Sequence, residues 1–232
     1  MTEPFRIRYR FELPNGSKKR IDLRFDARDF RLIDTLGAEA PFWTELTYSQ
    51  CANCPLKPEE HKHCPAALHM APAVESLKAL VSFDTVAVTV ALEERIIHTE
   101  TSAQQALSSV LGLIMATSGC PWTDRLRPMA RFHLPFASEI ETMYRSVGMF
   151  LLARQIMAAD PAGGFSALQK LYENLHIVNR DVSRRLGAAT RTDPARNAIA
   201  LLDSYTTLLP LALDNLLEEF RPLFDAWREV EF

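Results

Sequence analysis

The chain is poor in glycine, with 8 in 232 residues. Little material is left for loops that cradle phosphates, and it has no P-loop, no Rossmann fingerprint, no G-x-S-x-G elbow and no HExxH pair. Long apolar runs are also missing. "SSVLGLIMA", Ser108 to Ala116, falls far short of the ~20 residues a membrane-spanning helix needs. Charge of one sign is not in surplus: 26 Lys and Arg stand against 29 Asp and Glu, a net charge of −3 that gives no global attraction to nucleic acid or an anionic membrane. The N-terminus, "MTEPFRIRYR", lacks the apolar stretch of a secretory signal, so a cytoplasmic location is expected. Cysteine is scarce, with four in all. In a reducing compartment clustered cysteines are read as metal ligands or catalytic groups rather than disulfides.

What is present is an ordinary globular composition, 47% hydrophobic and 24% charged, in a chain long enough to bury a sizeable core. Its pattern changes near residue 101. Before that point strand signals dominate. In "FRIRYRFEL", Phe5, Ile7, Tyr9, Phe11 and Leu13 alternate with Arg6, Arg8, Arg10 and Glu12. Asn15-Gly16 then supplies a hairpin turn, since both residue types tolerate positive φ. "KRIDLRFD" alternates again, with Ile21, Leu23 and Phe25 on one face. "APAVESLKALVSF", from Ala71, predicts a short helix, and "TVAVTVALEERIIHTE" predicts one or two more strands, being rich in Val, Ile and Thr.

After residue 101 the period becomes helical. Ser102 caps a helix that Gly119 ends, and "SEIE", Ser138 to Glu141, has the spacing of a capping box. The helix it opens is expected to stop at "DPAGG", residues 160–164. Leu168, Leu171, Tyr172, Leu175, Val178, Val182 and Leu186 share one face of the next helix, with Gly187 read as its stop. Asp193-Pro194 opens another, and Pro210 is expected to divide it from a last helix at 211–220. The expected architecture is therefore α+β. Residues 1–101 form a small antiparallel sheet with a metal-binding loop, and residues 102–232 form a bundle of about five helices.

The densest chemistry lies in "CANCPLKPEEHKHCP". Cys51-x2-Cys54-x6-His61-x2-Cys64 presents two tight x2 pairs, the arrangement by which a chain delivers four ligands to one tetrahedral ion. The first reading is a structural zinc held by Cys51, Cys54, His61 and Cys64, with no open position for catalysis. His63 and His69 compete with His61. So does Cys120, far along the chain in "SGCPWTD". Cys54, Cys64 and Cys120 are each followed by proline, a dipeptide also found beside iron–sulfur clusters. In that alternative Cys120 replaces His61, and its position decides between the two.

A second candidate lies in "SGCPWTDRLRPMARFHLPFAS", whose three prolines forbid one continuous helix. Arg127, Arg131 and His133, with Glu141 and Arg145 just beyond, compose a possible site for an anion or carboxylate ligand, with Glu141 and Arg145 at i and i+4. Against this stands a structural strap whose arginines pair with surface acids. Glu173-x-x-His176 has di-iron spacing, but its only companion, Glu60-x-x-His63, lies in the cysteine loop. The arginines of the hairpin suggest a phosphate-binding face. Nucleic acid is disfavoured, because the aromatic residues fall on the opposite face.

"SGCPWTDRLRPMARFHLPFAS" and "CANCP…HCPAAL" together resemble an uncharacterised family of bacterial proteins, a resemblance that implies no activity. Three functions follow as expectations. The first is a non-enzymatic binding or regulatory protein stabilised by zinc, its partner a protein or a small ligand and not a membrane. The second is an iron–sulfur redox or sensing protein. The third is an enzyme with its site in residues 118–145.

Overall fold

The structure, a computed structural model, describes residues 3–33, 40–158, 163–189 and 193–230. It is α+β. A four-stranded antiparallel sheet comes from the N-terminal part: β1 (Phe5–Glu12), β2 (Lys18–Phe25), β3 (Thr85–Ala91) and β4 (Ile96–Ser102), in the order β2-β1-β3-β4. The alternation in β1 is realised without a slip, every second residue being buried, so Ile7, Tyr9 and Phe11 enter the core while Arg6, Arg8 and Arg10 face out. The turn at Gly16 takes the positive φ that Asn-Gly permits. On the outer face Arg20 pairs with Asp22 at 2.7 Å and Lys18 with Glu12 at 3.4 Å, exposed pairs that contribute little each.

The helices are α1 (Pro65–Ser76), α2 (Ala103–Thr117), α3 (Arg127–Arg131), α4 (Glu139–Ile156), α5 (Ser166–Ala189) and α6 (Pro194–Phe220). Helix α2 packs on the inner face of the sheet beside β3 and β4, with α1 on one side and α6 behind it. The larger core runs from Phe5 to Ile199 and takes side chains from both sides of residue 101. A smaller core joins α4, α5 and α6 through Met143, Tyr172, Leu175, Leu209 and Leu213.

Three helix boundaries differ from expectation, each for a local reason. Helix α1 begins at Pro65, not at Ala71: proline at the first helical position needs no N–H, and Pro72 is carried inside the helix. Helix α6 runs unbroken through Pro210, since Leu209, Leu213 and Leu216 are all buried and hold both halves against their neighbours. Helix α5 continues past Gly187, which is a contact glycine rather than a stop. A Cβ there would meet Cδ of Arg196 at 2.9 Å. The expected starts at Ser102 and Ser138 are present. Ser102 accepts from the Gln105 amide, and Ser138 and Glu141 form both halves of a capping box. The "DPAGG" stop falls mostly outside the described residues.

Candidate functional site

The cysteine loop is built onto α5. Arg185 is 1% exposed, and its guanidinium donates to the carbonyls of Trp43 (2.6 Å), Glu45 (2.7 Å), Leu46 (3.4 Å) and Ser49 (3.1 Å), gathering the approach to Cys51 around one cation. One turn earlier, buried Asp181 accepts from the Ala52 amide at 2.9 Å, and Arg180 and Arg184 balance its charge. Asn53 donates to the carbonyl of Asn174 at 3.0 Å. The Cys51–Cys54 turn closes with the Cys54 amide on the Cys51 carbonyl, and the Cys64 amide donates to the Thr44 carbonyl at 2.8 Å.

Cys120 comes to this turn from the end of α2. Trp122, two residues on, donates its indole N–H to the carbonyl of Asn53, between Cys51 and Cys54, at 2.7 Å. The thiols feel one another. Burial pushes the Cys51 thiol up to about 12, and the negative potentials of Cys64, Cys120, Asp181 and Cys54 add to that rise. Burial also raises Cys64, while the amides of Ala67 and Ala66 at the start of α1 and the charge of Arg185 favour its thiolate and Cys120 opposes it. All four cysteines are free thiols. His61 is exposed, and His63 faces Thr44, with Nδ1 2.9 Å from its hydroxyl. Among the described residues no three His, Cys, Asp or Glu side chains converge as ligands of a metal ion.

The second candidate divides. A cavity of about 190 Å³ lies among α2, α3, α4, α5 and α6. His133 and Arg145 reach it; Arg127, Arg131 and Glu141 do not. Arg127 turns to Asp124 (3.3 Å) and Asp29 (3.7 Å), as a strap residue would. Arg131 lies over the ring of Phe5, 4.4 Å from its centre. Glu141 is spent on the Ser138 cap, so the expected Glu141–Arg145 pair is not made, and Arg145 donates instead to the carbonyls of Met129 (2.8 Å) and Phe132 (2.9 Å). Burial pushes the pKa of His133 down to about 3, Arg145 adding to the effect, so the ring is neutral near pH 7.

A model of one family matches residues 7–225, nearly the whole chain, and that family is described as a domain of unknown function, DUF6901. The chain belongs to the DUF6901 family. No curated protein and no solved structure matches it.

Two residues of this DUF6901 chain that matter to the cysteine site escaped sequence reasoning, Asp181 and Arg185. Their signal was available. Both fall on the apolar stripe of α5, beside Val178, Val182 and Leu186, where a charge has to find a partner. Glu173-x-x-His176 is no metal pair here: His176 Nδ1 lies 2.9 Å from Asp203 of α6. No described helix of the DUF6901 chain is long and apolar enough to cross a membrane.

Proposed function

We propose that the protein is an iron–sulfur protein whose cluster is held by Cys51, Cys54, Cys64 and Cys120 and serves as a redox or sensing centre in the cytoplasm. One observation carries the reading. Cys120, remote in sequence, lies within electrostatic reach of Cys51 and Cys64, on a segment hydrogen-bonded into the Cys51–Cys54 turn. Clusters of this kind need four thiolates, and this chain has four cysteines.

Two physical arguments support it. Arg185 is a buried cation with no carboxylate in salt-bridge range among the described residues, and its Nε has no hydrogen-bond partner. A buried charge of that kind needs a counter-charge, which thiolate ligands beside it would supply. The second concerns exposure. Cys51, Cys54 and Cys120 are only partly covered, which leaves the centre close enough to the surface to exchange electrons.

A structural zinc is the second reading, favoured by the paired spacing of Cys51, Cys54, His61 and Cys64. Purification without oxygen, followed by metal and sulfide analysis and an absorption spectrum, separates the two. Iron with matching sulfide and a broad band near ~400 nm, lost in Cys120→Ser, is the expected result. One zinc per chain in a colourless protein that keeps its metal after Cys120→Ser would overturn the cluster and leave zinc.

A further inference from the structure

We propose that the cavity among the helices is a binding site for a small monocarboxylate with a compact apolar tail, the carboxylate resting on Arg145 and the tail inside. The site is separate from the cysteines, and the inference does not depend on which metal they hold.

Much of the cavity's exposed wall is apolar, including Leu113, Met115, Leu126, Met129, Leu175 and Leu202, with polar side chains such as Gln105, Ser109 and Thr142 between them. Gly112 belongs to the lining as well, with Leu202 packed close over it. An enclosed apolar cavity of about 150 Å³ has room for benzene. At about 190 Å³ this one admits a single ring or a chain of about six carbons. Buried polar groups face it as well, Ser108, Thr123, Tyr172, Asn179 and Thr206, and the Asn179 side chain has no hydrogen-bond partner among the described residues.

Arg145 supplies the charge. It stays cationic, as arginine does in proteins. Its Nη2 is occupied by the carbonyls of Met129 and Phe132, which lock the guanidinium in place. Its other nitrogens have no hydrogen-bond partner, and no carboxylate comes within salt-bridge range, among the described residues; Glu141, one turn away, is turned back into its own cap. A partly buried, immobilised guanidinium with free donors and no counter-ion is built to receive a planar anion, and a carboxylate fits its fork.

Access is also present. A second, outer hollow of about 160 Å³ shares His133, Leu134 and Arg145 with the cavity. Arg131, Arg95 and Glu94 line its other side; Glu94 lies 3.6 Å from Arg95, and Arg131 makes no salt bridge among the described residues. An anion arriving from solvent therefore meets a rim that is net positive, Arg131 being its cation without a carboxylate partner, then Arg145, with the apolar space behind. His133 is neutral and adds no charge, but its ring and Leu134 form the partition between outer hollow and inner space.

Calorimetric titration of the purified protein at low salt tests this, with acetate, butyrate, hexanoate, decanoate, benzoate and uncharged benzyl alcohol as probes. Hexanoate and benzoate are expected to bind at least about tenfold more tightly than acetate and decanoate, one being too small to fill the space and the other too long for it. Arg145→Gln, checked for folding by circular dichroism, is expected to weaken benzoate by about tenfold or more while leaving benzyl alcohol unchanged. The tail-length series uses the unaltered protein, so it decides the matter even if the variant fails to fold. Affinity that does not vary with tail length, or no acid binding more tightly than about 1 mM, would overturn the proposal.

Discussion

The hydroxyl of Tyr9, at the centre of the sheet, lies 2.5 Å from Nε2 of His133, 124 residues further on in the segment between α3 and α4. Ser109 of α2 completes the chain at 2.8 Å from the same hydroxyl. Sheet, α2 and the 118–138 segment therefore meet at one buried polar point. Burial keeps both rings uncharged, raising Tyr9 above the ordinary tyrosine range and lowering His133.

That point makes the protein sensitive to acid. The folded pKa of His133, about 3, lies below the ~6.5 of an unfolded histidine, so the unfolded state binds more protons between the two. Its contribution to stability is complete above pH ~6.5 and is lost as the pH falls towards 3, by at most about 1.4 kcal/mol per pH unit. Urea unfolding at pH 7.5 and pH 5 is expected to show a loss of about 2 kcal/mol that shrinks in His133→Gln. An unchanged difference in that variant would assign the acid sensitivity to other groups.

Arg185 holds the approach to the cysteines by four carbonyls, so its loss should reach well beyond one contact. Arg185→Met removes the guanidinium donor from all four carbonyls, of which Glu45 alone keeps the Tyr48 amide among the described residues, and is expected to destabilise the protein by about 3–5 kcal/mol. Arg185→Lys should recover only part of this, because one ammonium cannot span four acceptors held by a planar fork. Denaturation midpoints of the two variants check the order.

Without a bound metal the cysteine site should be chemically quiet. With the Cys51 thiol raised to about 12, little thiolate exists near pH 8, and burial raises Cys64 as well. Alkylation of metal-free protein by iodoacetamide, followed residue by residue in mass spectra, is expected to be at least about tenfold slower at Cys51 than in a model peptide. Labelling at the peptide's rate would mean that this thiol is neither dry nor coupled.

Pro210 stands inside α6 and denies the carbonyl of Thr206 its helical partner. The cost is offset by burial on both sides, at Leu209 and Leu213. Pro210→Ala is expected to raise stability by about 1–3 kcal/mol in chemical denaturation. A loss of stability would show that the proline ring packs more than it disrupts.

The sequence by itself determined what is local. The β1–β2 hairpin needs only alternation and Asn15-Gly16, and the starts of α2 and α4 need only a serine whose oxygen meets an amide three residues on. Such signals act within one turn or one strand pair and need no distant contact to form. The composition of the candidate sites was legible in the same way: Cys51, Cys54 and Cys64 in one loop, His133 and Arg145 near one another in sequence. Tertiary structure alone decided the rest. It carried α6 through Pro210, because packing along an apolar face outweighed a local cost. It set Arg185 beneath the cysteine loop and Cys120 beside it, and it sent Arg127 and Glu141 away from Arg145. These outcomes depend on which faces of α2, α5 and α6 meet. Apolar periodicity says that a face will be covered but not by what, so partners more than a hundred residues apart emerge only once the helices have packed.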